Sequence, residues 1–100
     1  MAEVRFLGRV RALTGVSTKH VESATVREAL IKLAQEYGPK LEELLFPEGG
    51  VESNNINLNT DVLVLVNGRN INFMGGLDTS LDIKDRVTLI FHGAKGYPGG

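Results

Sequence analysis

The stretch T-V-R-E-A-L-I-K-L-A-Q-E-Y-G-P, Thr25 to Pro39, decides how this chain can fold. Its first four residues form a capping box: the Thr25 hydroxyl can accept from the amide three residues on, and Glu28 can reach back to the Thr25 amide. Behind it, Val26, Ala29, Leu30, Leu33, Ala34 and Tyr37 recur at three- and four-residue spacing, which makes one apolar helical stripe. Gly38 suits the cap that ends a helix, and Pro39 cannot continue it. The spacing predicts a helix over about residues 25–37, and the rest of the chain holds no second segment of comparable length and periodicity.

Strand signals lie on either side. Val4 to Val10 reads V-R-F-L-G-R-V, in which Val4, Phe6 and Val10 alternate with Arg5 and Arg9 while Leu7 breaks the alternation. Thr14-Gly15 marks a turn, and Val16 to Val21 can return as a second strand, giving an opening hairpin. After the helix, Pro39 can start a short second one with Leu41, Leu44 and Leu45 inward. Pro47 to Asn59 is rich in Gly, Asn, Glu and Ser and reads as a long loop. Val62 to Val66 is a continuous β-branched and leucine run, and Asn67-Gly68 after it is a strong hairpin signal. Asn70 to Phe73 reads as a short return strand, Gly75-Gly76 and Asp78 to Ser80 as turns, and Arg86 to Phe91 as the last strand.

With one long helix between strand pairs, a doubly wound sheet is impossible. The economical arrangement is α+β: a mixed sheet of about five strands with the helix packed across one face. The right-handed crossover rule lets the first strand lie beside the last as a parallel central pair. This is the β-grasp arrangement. One helix covers one sheet face only, yet Val62 to Val66 is apolar on both. Leu7, Leu63, Leu65 and Ile90 are therefore expected on the face away from the helix, as a partner-binding patch. The competing expectation is that the loop and the short helix cover them, or that a fully buried strand simply reads this way.

Composition narrows the chemistry. One hundred residues make one domain, read as a globular unit over 1–92 and a tail over 93–100. The formal net charge is −1, so the molecule carries no overall bias toward nucleic acid or anionic membrane. There is no cysteine, which excludes disulfides, thiolate nucleophiles and cysteine metal sites. No basic-then-apolar leader and no apolar run near the ~20 residues of a membrane span are found, so a cytoplasmic location is expected. His20 and His92 have no spacing suited to a metal or a triad, and no metal site is expected. Gly93 and Gly96 lack the phosphate-loop pattern and read as spacers. Arg5, Arg9 and Arg11 read first as a solvated face, with a patch for an acidic partner as the second reading.

The ordered set of pieces resembles the ubiquitin-like sulfur carriers: the small subunit of molybdopterin synthase, the thiamine-pathway sulfur carrier and their archaeal and eukaryotic modifier relatives. The pieces are V-R-F-L-G-R-V-R-A-L-T-G from Val4, T-V-R-E-A-L-I-K-L-A from Thr25, V-L-V-L-V-N-G-R-N-I from Val62, L-D-T-S-L-D-I-K-D-R-V-T-L-I-F from Leu77, and Gly99-Gly100. Two features differ from the synthase subunit: a single proline, Pro98, stands before the glycines, and the loop over 47–59 is long. Met74 to Leu81 leans toward the modifier relatives.

The resemblance implies a carrier or small non-catalytic subunit rather than an enzyme, with no side chain acting as catalyst and no tightly bound cofactor. A partner adenylating enzyme would use ATP to activate the Gly100 carboxylate, and a sulfur donor would convert the adenylate to a thiocarboxylate. The sulfur would pass to an acceptor held by a large synthase subunit or another protein, most directly in molybdopterin biosynthesis. Alternatively, a lysine amine of a target protein would take the activated acyl group, or the domain would serve as a plain binding module. Gly100 is the expected modified residue, with Pro98 and Gly99 inserted into the partner. Glycine lets the backbone approach closely inside another enzyme's channel. Lys95 to Gly100 can reach roughly 20 Å, and Pro98 lowers the ordering cost by fixing φ.

Overall fold

The computed structural model describes residues 2–47 and 58–91. Five strands form one sheet: β1 (Ala2–Gly8), β2 (Thr18–Val21), β3 (Val62–Val66), β4 (Arg69–Asn70) and β5 (Arg86–Phe91). Their order across the sheet is β2-β1-β5-β3-β4. β1 and β5 run parallel at the centre, with Val4 opposite Val87 and Phe6 opposite Leu89, and the other neighbouring pairs are antiparallel. The β-grasp arrangement expected from one long helix between strand pairs is therefore the one observed.

Among the described residues, three α-helices accompany the sheet: α1 (Arg9–Thr14), α2 (Val26–Tyr37) and α3 (Pro39–Leu45). The opening segment corrects the sequence reading. It is not a plain hairpin, because β1 stops at Gly8 and Val10 lies in α1, with β2 starting only at Thr18. Gly8 makes this turn possible: its φ of +63° is a backbone conformation that L side chains rarely adopt. At the far end of α1 the Gly15 amide donates to the Arg11 carbonyl at 2.8 Å. The return strand after Val66 is also shorter than expected. β4 holds only Arg69 and Asn70, and Ile71–Phe73 turns into a 3-10 segment whose Asn72 amide donates to the Asn70 side chain at 2.8 Å.

α2 forms as its sequence dictates. The Thr25 hydroxyl accepts from the Glu28 amide at 3.2 Å, and Val26, Ala29, Leu30, Leu33 and Ala34 are buried. These residues share one core with Ala2, Val4 and Phe6 of β1, Val62, Val64 and Val66 of β3, and Val87 and Leu89 of β5. Phe6 meets Tyr37 edge to face with ring centroids 6.1 Å apart. α3 adds Leu41 and Leu45, with Leu44 half-buried beside them. At the sheet edge, the Glu36 carboxylate holds Lys19 by a hydrogen bond that raises the lysine pKa.

Two hydrogen bonds tie the start of α2 to the segment that precedes β5. The Val26 amide donates to the Thr79 carbonyl at 3.0 Å, and the Leu81 amide donates to the Ala24 carbonyl at 2.8 Å. Opposite them, Asn67 and Gly68 connect β3 to β4 with φ of +53° and +85°, the left-handed pair that Asn-Gly turns supply at low cost. The loop expected over 47–59 lies largely outside the described residues, as does the tail over 93–100. At residue 59, where that span ends, the Asn59 amide donates to the Leu45 carbonyl and its side-chain amide to the Leu44 carbonyl.

Candidate functional site: the open face of the sheet

Alternation along each strand divides its side chains between two faces. On β1, β3 and β5 the set facing α2 is buried, while Arg5, Leu7, Leu63, Leu65, Thr88 and Ile90 point the other way. The strand register arranges this second set in rows across the sheet. Leu7 stands beside Ile90, and Ile90 beside Leu63, so three apolar side chains line up. The next row is Thr18, Arg5, Thr88, Leu65 and Asn70. A third row holds His20, Glu3 and Arg86.

The structure brings Leu7, Leu63, Leu65 and Ile90 together on this face. Leu7 is exposed, and Leu63, Leu65 and Ile90 are half-buried, so α3 does not bury them as core. The face has a direction. Its apolar row lies at the end where β5 finishes at Phe91, and its charged row lies at the opposite end, beside the turn at Asn67-Gly68. Pro98, Gly99 and Gly100 lie outside the described residues.

The root of the chain's last segment is fastened to the body. Gly8 pairs with Phe91 in the central ladder, and the Arg9 guanidinium sits 5.0 Å from the centroid of the Phe91 ring. A cation over an aromatic face is worth about 0.5–1 kcal/mol at an exposed site. Sequence reasoning placed Arg5, Arg9 and Arg11 together, whereas the structure separates them. Arg5 stands on the open sheet face, Arg9 over Phe91, and Arg11 in the exposed last turn of α1. The neighbours of Arg5 on β5, Thr88 and Arg86, were not singled out from the sequence. The parallel pairing of first and last strands, once given a register, is the signal that finds them.

At the charged end, the Asp85 carboxylate accepts from the Asn67 side-chain amide at 2.9 Å and from the Asp82 backbone amide at 2.8 Å. These bonds, the Asn67 one foremost, hold the Asp85 pKa below the usual carboxylate value. A separate groove of about 440 Å³ opens between α1 and α3, with Leu13, Leu44 and Ala12 among its lining and Arg9, Lys40 and Glu43 at its rim. Among the described residues no group of three or more His, Asp or Glu side chains could hold a metal ion, and no helix is long and apolar enough to cross a membrane.

A scan against protein families matches the ThiS family over residues 4–92. The chain belongs to that family. Its members are ubiquitin-like proteins of the sulfur carrier superfamily, which agrees with the resemblance drawn from the ordered motifs. Solved structures agree on the fold. The small archaeal modifier protein 1 of Methanosarcina acetivorans superposes with a TM-score of 0.83 at 25% identity, over 93% of each chain. CysO of Mycobacterium tuberculosis gives 0.69 at 27% identity, over 89% of this chain and 96% of its own. A Pyrococcus furiosus protein assigned as subunit 1 of a molybdopterin converting factor gives 0.62 at 29% identity, over 89% of this chain and 93% of its own. No curated protein matches the sequence.

Proposed function

We propose that this ThiS-family protein is a sulfur carrier whose reagent is its own terminal carboxylate, at Gly100. The observation that carries the reading is the family match over residues 4–92 on a domain whose open, partly apolar sheet face leads to Phe91, beyond which the sequence runs to Gly99-Gly100. The face supplies a handle for a partner, and the remaining segment supplies the substrate. Nine residues, His92 to Gly100, follow the last described strand, and at ~3.3–3.6 Å each they can span at most about 30 Å.

The chemistry belongs to the partner, an adenylating enzyme that binds ATP. The Gly100 carboxylate oxygen attacks the α-phosphate of ATP, a new C(O)–O–P linkage forms and pyrophosphate leaves. A sulfide-equivalent donor then attacks the acyl carbon, AMP leaves, and a thiocarboxylate remains. Two terminal glycines allow the acyl carbon to approach another protein's phosphate site without side-chain collision. Sulfur donation in molybdopterin formation, through a large synthase subunit, is the favoured destination. It is supported by the likeness to the Pyrococcus furiosus protein. Conjugation to lysines of target proteins is the second reading, favoured by the high structural similarity to an archaeal modifier protein.

Intact-mass measurement after incubation with ATP, the adenylating enzyme of the same cell and a sulfide source tests the proposal. A mass gain of one oxygen-to-sulfur exchange on a chain ending at Gly100 is expected. Conjugates bearing a Gly-Gly remnant on lysine would favour the second reading. Deleting Gly100 is expected to leave the fold and partner binding intact while abolishing adenylation; adenylation of the truncated chain would refute the assignment.

A further inference from the structure

The charged end of the open sheet face holds a cleft of about 370 Å³ lined by Glu3, Arg5, Asn67, Gly68, Arg86 and Thr88. Glu3, Arg5, Arg86 and Thr88 rise from the paired central strands β1 and β5, and Asn67 and Gly68 belong to the turn after β3. Arg5 is exposed, and among the described residues its guanidinium forms no ion pair or hydrogen bond. Arg86 is barely better matched, with its Nε 3.7 Å from the nearer Glu3 carboxylate oxygen, too far for a hydrogen bond. Two guanidinium groups against one carboxylate leave one positive charge without a partner in the cleft. The Asp85 carboxylate at the rim is engaged by Asn67 and the Asp82 amide.

We propose that this cleft receives an aspartate or glutamate side chain of the adenylating partner. It would act as the polar half of a two-part docking surface whose apolar half is the row Leu7, Ile90 and Leu63. The inference rests on the carrier reading above and adds what the partner must present. A single carboxylate fits the cleft's charge. A guanidinium binds it through two parallel hydrogen bonds, and the Thr88 hydroxyl between Arg5 and Leu65 is available as a further donor. A phosphate dianion fits less well, because it would meet the Glu3 carboxylate. The separation is set by the strands. Arg5 precedes Leu7 by two residues on the same face, about 7 Å along the strand. The partner therefore needs an acidic residue about that far from the apolar side chains that cover the leucines. Such a charge placed at one end of an apolar contact fixes which way round the carrier docks. The apolar half of the contact then lies at the end where β5 leads into the C-terminal segment.

The test is the rate of ATP–pyrophosphate exchange catalysed by the adenylating enzyme of the same cell, as a function of carrier concentration. Arg5→Gln is expected to raise the KM for the carrier about tenfold with kcat changed less than twofold, and added salt is expected to narrow the difference from wild type. Lys32→Gln removes the same charge from α2, on the other side of the sheet, and is expected to leave KM within twofold. Thr88→Asp fills the cleft with a carboxylate of the carrier itself and is expected to raise KM as much as Arg5→Gln. It also serves should the Arg5 variant fail to fold. Equal KM values for wild type and both cleft variants, or the same shift from Lys32→Gln as from Arg5→Gln, would overturn the inference while leaving the carrier reading standing. If the wild-type chain supports no exchange at all, the carrier reading fails and this inference falls with it.

Discussion

The two faces of the central sheet are built from the same strands and differ in nearly everything else. Facing α2, Val4, Phe6, Val64, Val87 and Leu89 are almost completely buried and belong to one core. One residue along in each strand, Arg5, Leu7, Leu63, Leu65, Thr88 and Ile90 meet solvent wholly or in part. A period of two is enough to write two programmes into one strand: one set of positions holds the body together, the next set is free to bind. The difference teaches where mutations should separate stability from recognition.

Truncation on the closed face should have the largest effect. Phe6 has no exposed surface and packs edge-on to Tyr37. Phe6→Ala should cost about 3–5 kcal/mol, the usual loss for removing a buried phenyl ring, read as a lower midpoint in chemical denaturation. A loss under about 1 kcal/mol would mean that the two faces are less different than their burial indicates. On the open face the balance should invert. Leu63→Ala should cost no more than about 1 kcal/mol of stability, since the side chain is only half-buried. It should still weaken association with the proposed adenylating partner about tenfold, or about 1.4 kcal/mol, by titration calorimetry. A Leu63 variant that destabilises strongly and binds normally would break the comparison.

The smallest effect lies at the charged end of the open face, in the Asp85–Asn67 contact. Because the folded state holds the Asp85 pKa below its unfolded value of about 3.9, the ionised carboxylate stabilises the fold above that pH. That contribution disappears as pH falls through the folded value. Asp85→Asn should therefore be slightly less stable than wild type at neutral pH, and the gap should close in acid, once the pH lies below the lowered pKa of the folded carboxylate. Denaturation midpoints measured at neutral and at acid pH would show it; a gap that persists in acid would assign the effect to packing instead.

Much of this division was legible in the sequence because it follows from local periodicity. The helix at Thr25 to Tyr37 announced itself through its cap and stripe, and the β3 run was apolar at every position, which one helix could not cover. The opening segment was misread for a physical reason. Val10 continues the alternation of Val4 and Phe6, and it is indeed buried, but from the first turn of a helix rather than from a strand. Period two and the start of a helix placed the same residue inward. The distinguishing signal was Gly8, followed by Arg-Val-Arg-Ala-Leu and closed by Gly15, a helix with a glycine at either end. The cleft at Arg5 was not legible, because it depends on register between strands some 80 residues apart in the chain, Glu3 opposite Arg86 and Arg5 opposite Thr88. No local pattern encodes that pairing.

That long separation has a consequence for how the molecule is made. The central ladder joins the first strand to the last, and β3 reaches β1 only through β5. While the ribosome has not yet released Arg86 to Phe91, β1 with β2 and β3 with β4 are two pieces of sheet with a gap between them. Closure over so many intervening residues is slow relative to local contacts. A chain that stops short of β5 therefore has no middle to its sheet and no continuous face on which a partner could settle. On the carrier reading, the face offered to a partner is therefore complete only once the strand that leads into the terminal segment is in place.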